Sequence, residues 1–232
     1  MNTLYKSILW PVAVAQGLWL RRTIPRLPEA DGVPHGNAGS GESVELAIYG
    51  ESPVAGVGVT THSEGLGPAV ARQLAQRLAC SVRWRVVGRN GLKSAQLPEL
   101  VQADLAANPA PEFALVCMGV NDTKGLTHPD QWLDNLIAVR QHLATNKLQR
   151  LLYSGVPRLS QFPALPRPLN MLLAERASRL EDALLTNLTD VERLLPFTLD
   201  FAPELFASDG FHPSASGFQL WGEALANGLL DL

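Results

Sequence analysis

From Val44 onward, short apolar runs alternate with longer stretches whose apolar positions recur at helical spacing. Val44 to Gly50, Val82 to Gly88, Glu112 to Gly119 and Arg150 to Val156 each read as a strand. Between the first two, Leu66 to Leu78 carries Val70, Leu74 and Leu78 on one face and predicts a helix. Further helices are predicted over Leu92 to Ala107, Pro129 to Thr145, Leu169 to Leu188 and Ala215 to Leu230. Pro129 suits a first turn, and Ser214 is the expected N-cap of the last helix. A fifth strand is expected near Leu195 to Leu199. Pro157 to Pro168 holds four prolines and reads as an irregular loop. This alternation predicts an α/β fold in which a parallel sheet of about five strands is covered on both faces.

Parallel sheets hold their ligands beyond the C-terminal ends of their strands. On the predicted elements, Ser52 follows the first strand, Asn90-Gly91 the second and Asn121 the third. Three polar groups distant in sequence therefore converge on one rim.

The N-terminal segment has a different character. Ile8 to Leu20 is a thirteen-residue, mostly apolar stretch that follows Lys6 and precedes Arg21, Arg22 and Arg26. It is too short, and too interrupted by Pro11 and Gly17, for a comfortable membrane span. The favoured reading is a retained segment that packs on the domain, in a cytoplasmic protein. Adsorption to a membrane surface through residues 8–26 comes second and secretion third. Pro25 to Gly41, with three prolines and four glycines and no periodicity, reads as a linker. The expected organisation is thus an N-terminal segment with linker over residues 1–41 and a catalytic domain over 42–232.

With 232 residues the chain suits one well-buried α/β domain better than two. A net charge of -3 leaves no electrostatic footprint for nucleic acid, so a small substrate is the expected partner. The two cysteines, Cys80 and Cys117, form no framework and no metal-ligand spacing, and neither metal nor cofactor is expected.

Chemistry enters with Ser52 in Gly50-Glu51-Ser52, Gly119-Val120-Asn121-Asp122 and Asp209-Gly210-Phe211-His212. A serine nucleophile needs a base to take its proton and donors for the oxyanion it creates. Among five histidines, His212 stands apart because Asp209 lies three residues before it and Pro213 restrains its backbone. Asp209 could hold the Nδ1 proton and leave Nε2 to accept from Ser52. Asn121 offers a side-chain amide to the oxyanion beside the N–H groups of Ser52 and Gly91, whereas Asp122 is expected to order the turn. The stretch after Ser52 lacks both the Gly-Lys-Ser/Thr of a P-loop and the Gly-x-Ser-x-Gly elbow of α/β-hydrolases.

In these three blocks together with Gly88-Arg89-Asn90-Gly91, and in their order, the chain resembles the SGNH (GDSL-type) hydrolases from about Val44 to Leu232. The resemblance matches Ser52, a glycine after the second strand, Gly119 to Asp122 and Asp209 to His212. Gly91 is the assigned glycine, with Gly88 as an alternative alignment. Glu51 stands where that family usually has Asp, and Leu92-Lys93-Ser94 replaces the usual continuation of the second block. The resemblance implies a three-layer α/β/α domain with a flavodoxin-like parallel sheet. It also implies hydrolysis of carboxylic esters or thioesters through an acyl-enzyme on Ser52, with no cofactor. Two other readings stand beside it: an acyltransferase of the same fold, and a catalytically silent module that binds carbohydrate or lipid.

Overall fold

In the computed structural model, which describes residues 3–197 and 202–231, six strands form one sheet. They are β1 (His35–Ala38), β2 (Ser43–Gly50), β3 (Ser81–Gly88), β4 (Phe113–Cys117), β5 (Arg150–Ser154) and β6 (Glu192–Leu195). The helices are α1 (Thr3–Thr23), α2 (Leu66–Leu78), α3 (Leu97–Ala107), α4 (Val120–Lys124), α5 (Pro129–Leu143), α6 (Leu169–Leu185) and α7 (Ala215–Leu230). The sheet order is β1-β3-β2-β4-β5-β6. All neighbours pair in parallel except β1, which runs antiparallel to β3.

Alternate side chains of β2 point to opposite faces, as the pleat requires. Leu46 and Ile48 pack with Val70 and Leu74 of α2 and Phe218 and Leu225 of α7. Ala47 and Tyr49 pack with Val101 of α3, Leu136 and Val139 of α5, and Leu180 of α6. These two cores make the α/β/α layers. Without β1, the strand order is that of flavodoxin-like sheets, and the chain reverses direction across the sheet between β2 and β4. The loops after those two strands carry Ser52 and Asn121.

Where the structure departs from expectation, local chemistry gives the reason. The sheet has six strands, because part of the segment read as a linker, His35–Ala38, adds an antiparallel edge. No apolar alternation marks β1, since it contributes mainly backbone, and Gly36 leaves room for the indole of Trp84. The last strand covers Glu192–Leu195 instead of Leu195 to Leu199. Pro196 follows it and has no N–H to extend the ladder, and Thr198 and Leu199 lie outside the described residues. The second predicted helix begins at Leu97, five residues late, because Leu92 to Gln96 form turns around a buried Ser94. Ser214 does cap α7, accepting from the Gly217 N–H. Both cysteines are free thiols.

The N-terminal apolar segment is helical straight through Pro11. Leu20 of α1 is buried with Leu159, Phe162, Leu165 and Leu173. The Gln16 side chain donates to the Arg167 carbonyl at 2.6 Å and accepts from the Leu169 N–H at 3.1 Å. Along α1, Trp10, Val12, Val14, Leu18 and Trp19 are exposed. Among the described residues, no helix is long and apolar enough to cross a membrane.

Candidate active site

Ser52 opens a tight turn immediately after β2 and is only 7% exposed. Val54 and Ala55 donate back to the Glu51 carbonyl, and Val57 donates to that of Ser52. The end of β3 presses against this turn: a Cβ on Gly88 would lie 2.7 Å from the Ala55 nitrogen. Gly88 therefore serves close packing. Gly91, with φ +77°, lines the cleft together with Ser52, Asn90, Asn121 and His212.

His212 reaches the same cleft from the loop before α7. Its Nε2 stands 2.9 Å from Ser52 Oγ, and its Nδ1 stands 2.6 Å from Asp209 Oδ2. The other Asp209 oxygen accepts the backbone N–H groups of Phe211 and His212 at 2.9 and 3.0 Å. Burial works to raise the Asp209 pKa, but the hydrogen bonds from His212 and Phe211 and the charge of His212 outweigh it, holding the carboxyl below its ordinary value. An ionised Asp209 fixes the imidazole tautomer that leaves Nε2 facing the hydroxyl. Gly58, at φ +113°, lets the serine turn meet this loop, since a Cβ there would lie 2.2 Å from the Pro213 carbonyl and 3.3 Å from the His212 Cβ.

Asn121 sits on α4. Its Nδ2 donates to the Leu92 carbonyl at 3.1 Å, which orients the amide and leaves a second N–H on the same nitrogen. Its backbone N–H and that of Val120 donate to the two carboxylate oxygens of Glu51, at 2.9 and 2.8 Å. Glu51 thus ties the residue before the serine to the asparagine. Burial pushes its pKa up to about 7, against the pull of Lys124 and the two N–H donors. Asp122 orders the turn, as expected: it accepts from the Ser94 N–H and hydroxyl and from the Thr127 hydroxyl. The Asn90 to Ser94 loop and α4 are therefore stitched together at Leu92 and at Ser94.

Sequence reasoning left Lys124 without a role. Its ammonium stands over the Phe211 ring, 5.0 Å from the centroid, and lines the cleft. The signal was its spacing from Asn121, which becomes a shared helix face once Val120–Lys124 is seen to be helical.

Two hollows adjoin Ser52 and His212. One is small, about 60 Å³, and walled by aromatic rings including Phe162, Phe206, Phe211 and Trp221. The other is a cleft of about 810 Å³ between α1, the α4 loop and the start of α6. Its wall includes Val14, Leu18 and Ile24 from the N-terminal segment.

A serine, an imidazole and a carboxylate in relay at the switch point of a flavodoxin-like sheet are the arrangement of a serine hydrolase. Residues 48–220 match the model of the GDSL-like lipase/acylhydrolase family, most of the chain, and the protein belongs to that family. It is 27% identical over 238 residues to the GDSL-like esterase Rv1075c of Mycobacterium tuberculosis, covering 94% of this chain and 76% of that one. Among solved structures it superposes on TesA with TM-score 0.64 at 22% identity, covering 80% of this chain and 97% of the other. It also superposes on the psychrotrophic esterase EstA of a Pseudoalteromonas species, with TM-score 0.58 at 16% identity, over 81% and 97% of the two chains.

Proposed function

We propose that this ester hydrolase works through an acyl-enzyme on Ser52, with His212 as general base and Asp209 as its orienting acid. The observation that carries the assignment is the continuous relay from Ser52 Oγ through both ring nitrogens of His212 to Asp209, at 2.9 and 2.6 Å. Ser52 attacks the acyl carbonyl while Nε2 takes its proton. The N–H groups of Ser52 and Gly91 and the free N–H of the Asn121 amide receive the oxyanion. His212 then protonates the departing alcohol, or the thiol of a thioester, and activates water against the acyl-enzyme. Donors fixed before the reaction need no reorganisation in the transition state, and one of them is worth about 3 kcal/mol. Here the links from Asn121 to Leu92 and to Glu51 provide that fixing.

Replacing Ser52 by Ala tests the assignment. Turnover of 4-nitrophenyl acetate and labelling by a fluorophosphonate probe are both expected to disappear. Undiminished turnover in folded S52A would refute the role of Ser52.

We also propose that the exposed side of α1 touches a membrane surface. Trp10, Val12 and Trp19 are exposed along it with Arg22 in its last turn, none of them part of the cleft wall, a combination suited to an anionic interface. Cosedimentation with vesicles containing anionic lipid is expected, and replacing Trp19 and Val12 by Ser is expected to abolish it. Equal recovery of both proteins in the supernatant would refute the contact.

A further inference from the structure

The wall of the large cleft is divided by chemistry. Leu165, Leu169 and Leu173 meet Val14, Leu18 and Ile24 across an apolar side. Lys93 and Lys124 line the side next to Gly91 and Asn121, and Arg21 and Arg26 reach the cleft from the N-terminal segment. Asp209 is the one acidic residue in this lining, and both its oxygens are already engaged by His212 and Phe211. Among the described residues, none of the four cations has a carboxylate within 4.0 Å. In a chain of net charge -3, four cations without ion-pair partners gathered on one concavity are a local inversion of the overall field.

Both lysines are exposed, and each has a neighbour beside the cleft. Lys124 is held over the Phe211 ring, and burial lowers its pKa against the opposing charge of Glu51. The Lys93 ammonium lies against Gly125, where a Cβ would collide with it. Both side chains thus stand on the flank of the cleft that carries Asn121. An anion bound there would supply a counter-charge at ion-pair distance, which none of the four has among the described residues.

We infer that the ester this enzyme takes is amphiphilic and anionic, with a hydrocarbon portion on the apolar wall and a carboxylate or phosphate held by Lys93 and Lys124, Arg21 and Arg26 assisting at the mouth. The inference deepens the ester-hydrolase reading by naming the substrate class. It rests on the cleft and not on the chemical step, so binding alone can test it.

The experiment titrates the Ser52→Ala protein by calorimetry with octanoate, octyl phosphate, octanol and inorganic phosphate, each below its aggregation limit. Octanoate or octyl phosphate is expected to bind at least about tenfold more tightly than octanol, a difference of about 1.4 kcal/mol. The tighter of the two anions identifies the headgroup chemistry. Inorganic phosphate, lacking a chain, is expected to bind at least about tenfold more weakly than octyl phosphate. Raising salt from about 0.02 M to about 0.5 M is expected to erase most of the anion preference, because screening shortens to a few ångströms. A K93A/K124A pair is expected to lose it at low salt as well, with an unchanged circular dichroism spectrum. Octanol binding as tightly as the anions, or an anion preference that survives both salt and the double substitution, would overturn the inference. Loss of ester turnover in S52A together with equal binding of octanol and octanoate would sink the anionic substrate alone. Ester turnover that does not depend on Ser52 would sink the nucleophile and leave the binding result to stand.

Discussion

Replacing Glu51 by Gln separates a buried charge from the two hydrogen bonds it makes. In the native protein the Glu51 oxygens accept from Val120 and Asn121 at 2.8 and 2.9 Å. A glutamine offers one acceptor oxygen and turns an NH₂ group toward the other backbone donor, leaving a buried N–H unpaired at a cost of about 1–3 kcal/mol. If that strain is felt as misplacement of Asn121 in the transition state, kcat/KM falls by about 5- to 150-fold, since each factor of ten is 1.36 kcal/mol. Stability responds differently. Burial raises the Glu51 pKa from its ordinary 4.5 to about 7, so between those values the folded protein holds a proton that the unfolded chain releases. Stability from this group therefore falls as pH rises through that window, by about 3 kcal/mol in all. Glutamine cannot ionise and removes the dependence. Urea unfolding of both proteins at pH 5 and pH 8 reads this directly. The wild type is expected to lose about 2–3 kcal/mol relative to E51Q between the two conditions. A gap between the proteins that does not change with pH would refute the raised titration. Unaltered kcat/KM for E51Q at pH 8 would refute the dependence of Asn121 on Glu51, and E51D should recover part of any loss.

Two further variants are informative for the same geometry. D209N should lower kcat by about four orders of magnitude, with KM little changed, because the imidazole loses the anion that fixes its tautomer. Hydrogen bonding holds the Asp209 pKa below its ordinary value, so its stabilising contribution is present at neutral pH and lost as pH falls through the acid range; acid unfolding of D209N should lack that component. G58A forces a residue with a Cβ into a left-handed backbone and against the Pro213 carbonyl, and should cost at least about 1–2 kcal/mol of stability by denaturant titration. Because the displaced neighbours are Pro213 and His212, kcat in G58A should fall while circular dichroism stays native-like; full activity would refute the contact.

Much of this architecture is written locally. The bounds of α2 and α7 follow from apolar spacing and a serine cap, and Ser52, Gly91 and Asn121 could be placed on one rim from the parallel-sheet rule, whereas His212 stood out only through Asp209 and Pro213 beside it. What was not legible depends on partners far away in the chain. Strand β1 has no pattern of its own because Trp84 supplies the apolar surface it lies against. The apolar N-terminal stretch contains a proline and a glycine that argue against a helix in isolation, but packing of Leu20 and the two Gln16 hydrogen bonds fix it there. The bidentate grip of Glu51, the contact of Gly58 with the histidine loop and the convergence of four cations each join segments tens of residues apart. No periodicity records such meetings.

The antiparallel pairing of His35–Ala38 has a practical consequence for anyone shortening the protein. A cut placed just before β2 would leave the outer backbone groups of β3 without partners, and an exposed sheet margin of that kind recruits strands from other molecules. Aggregation of such a fragment would therefore reflect an uncovered seam and would say nothing about the integrity of the catalytic machinery.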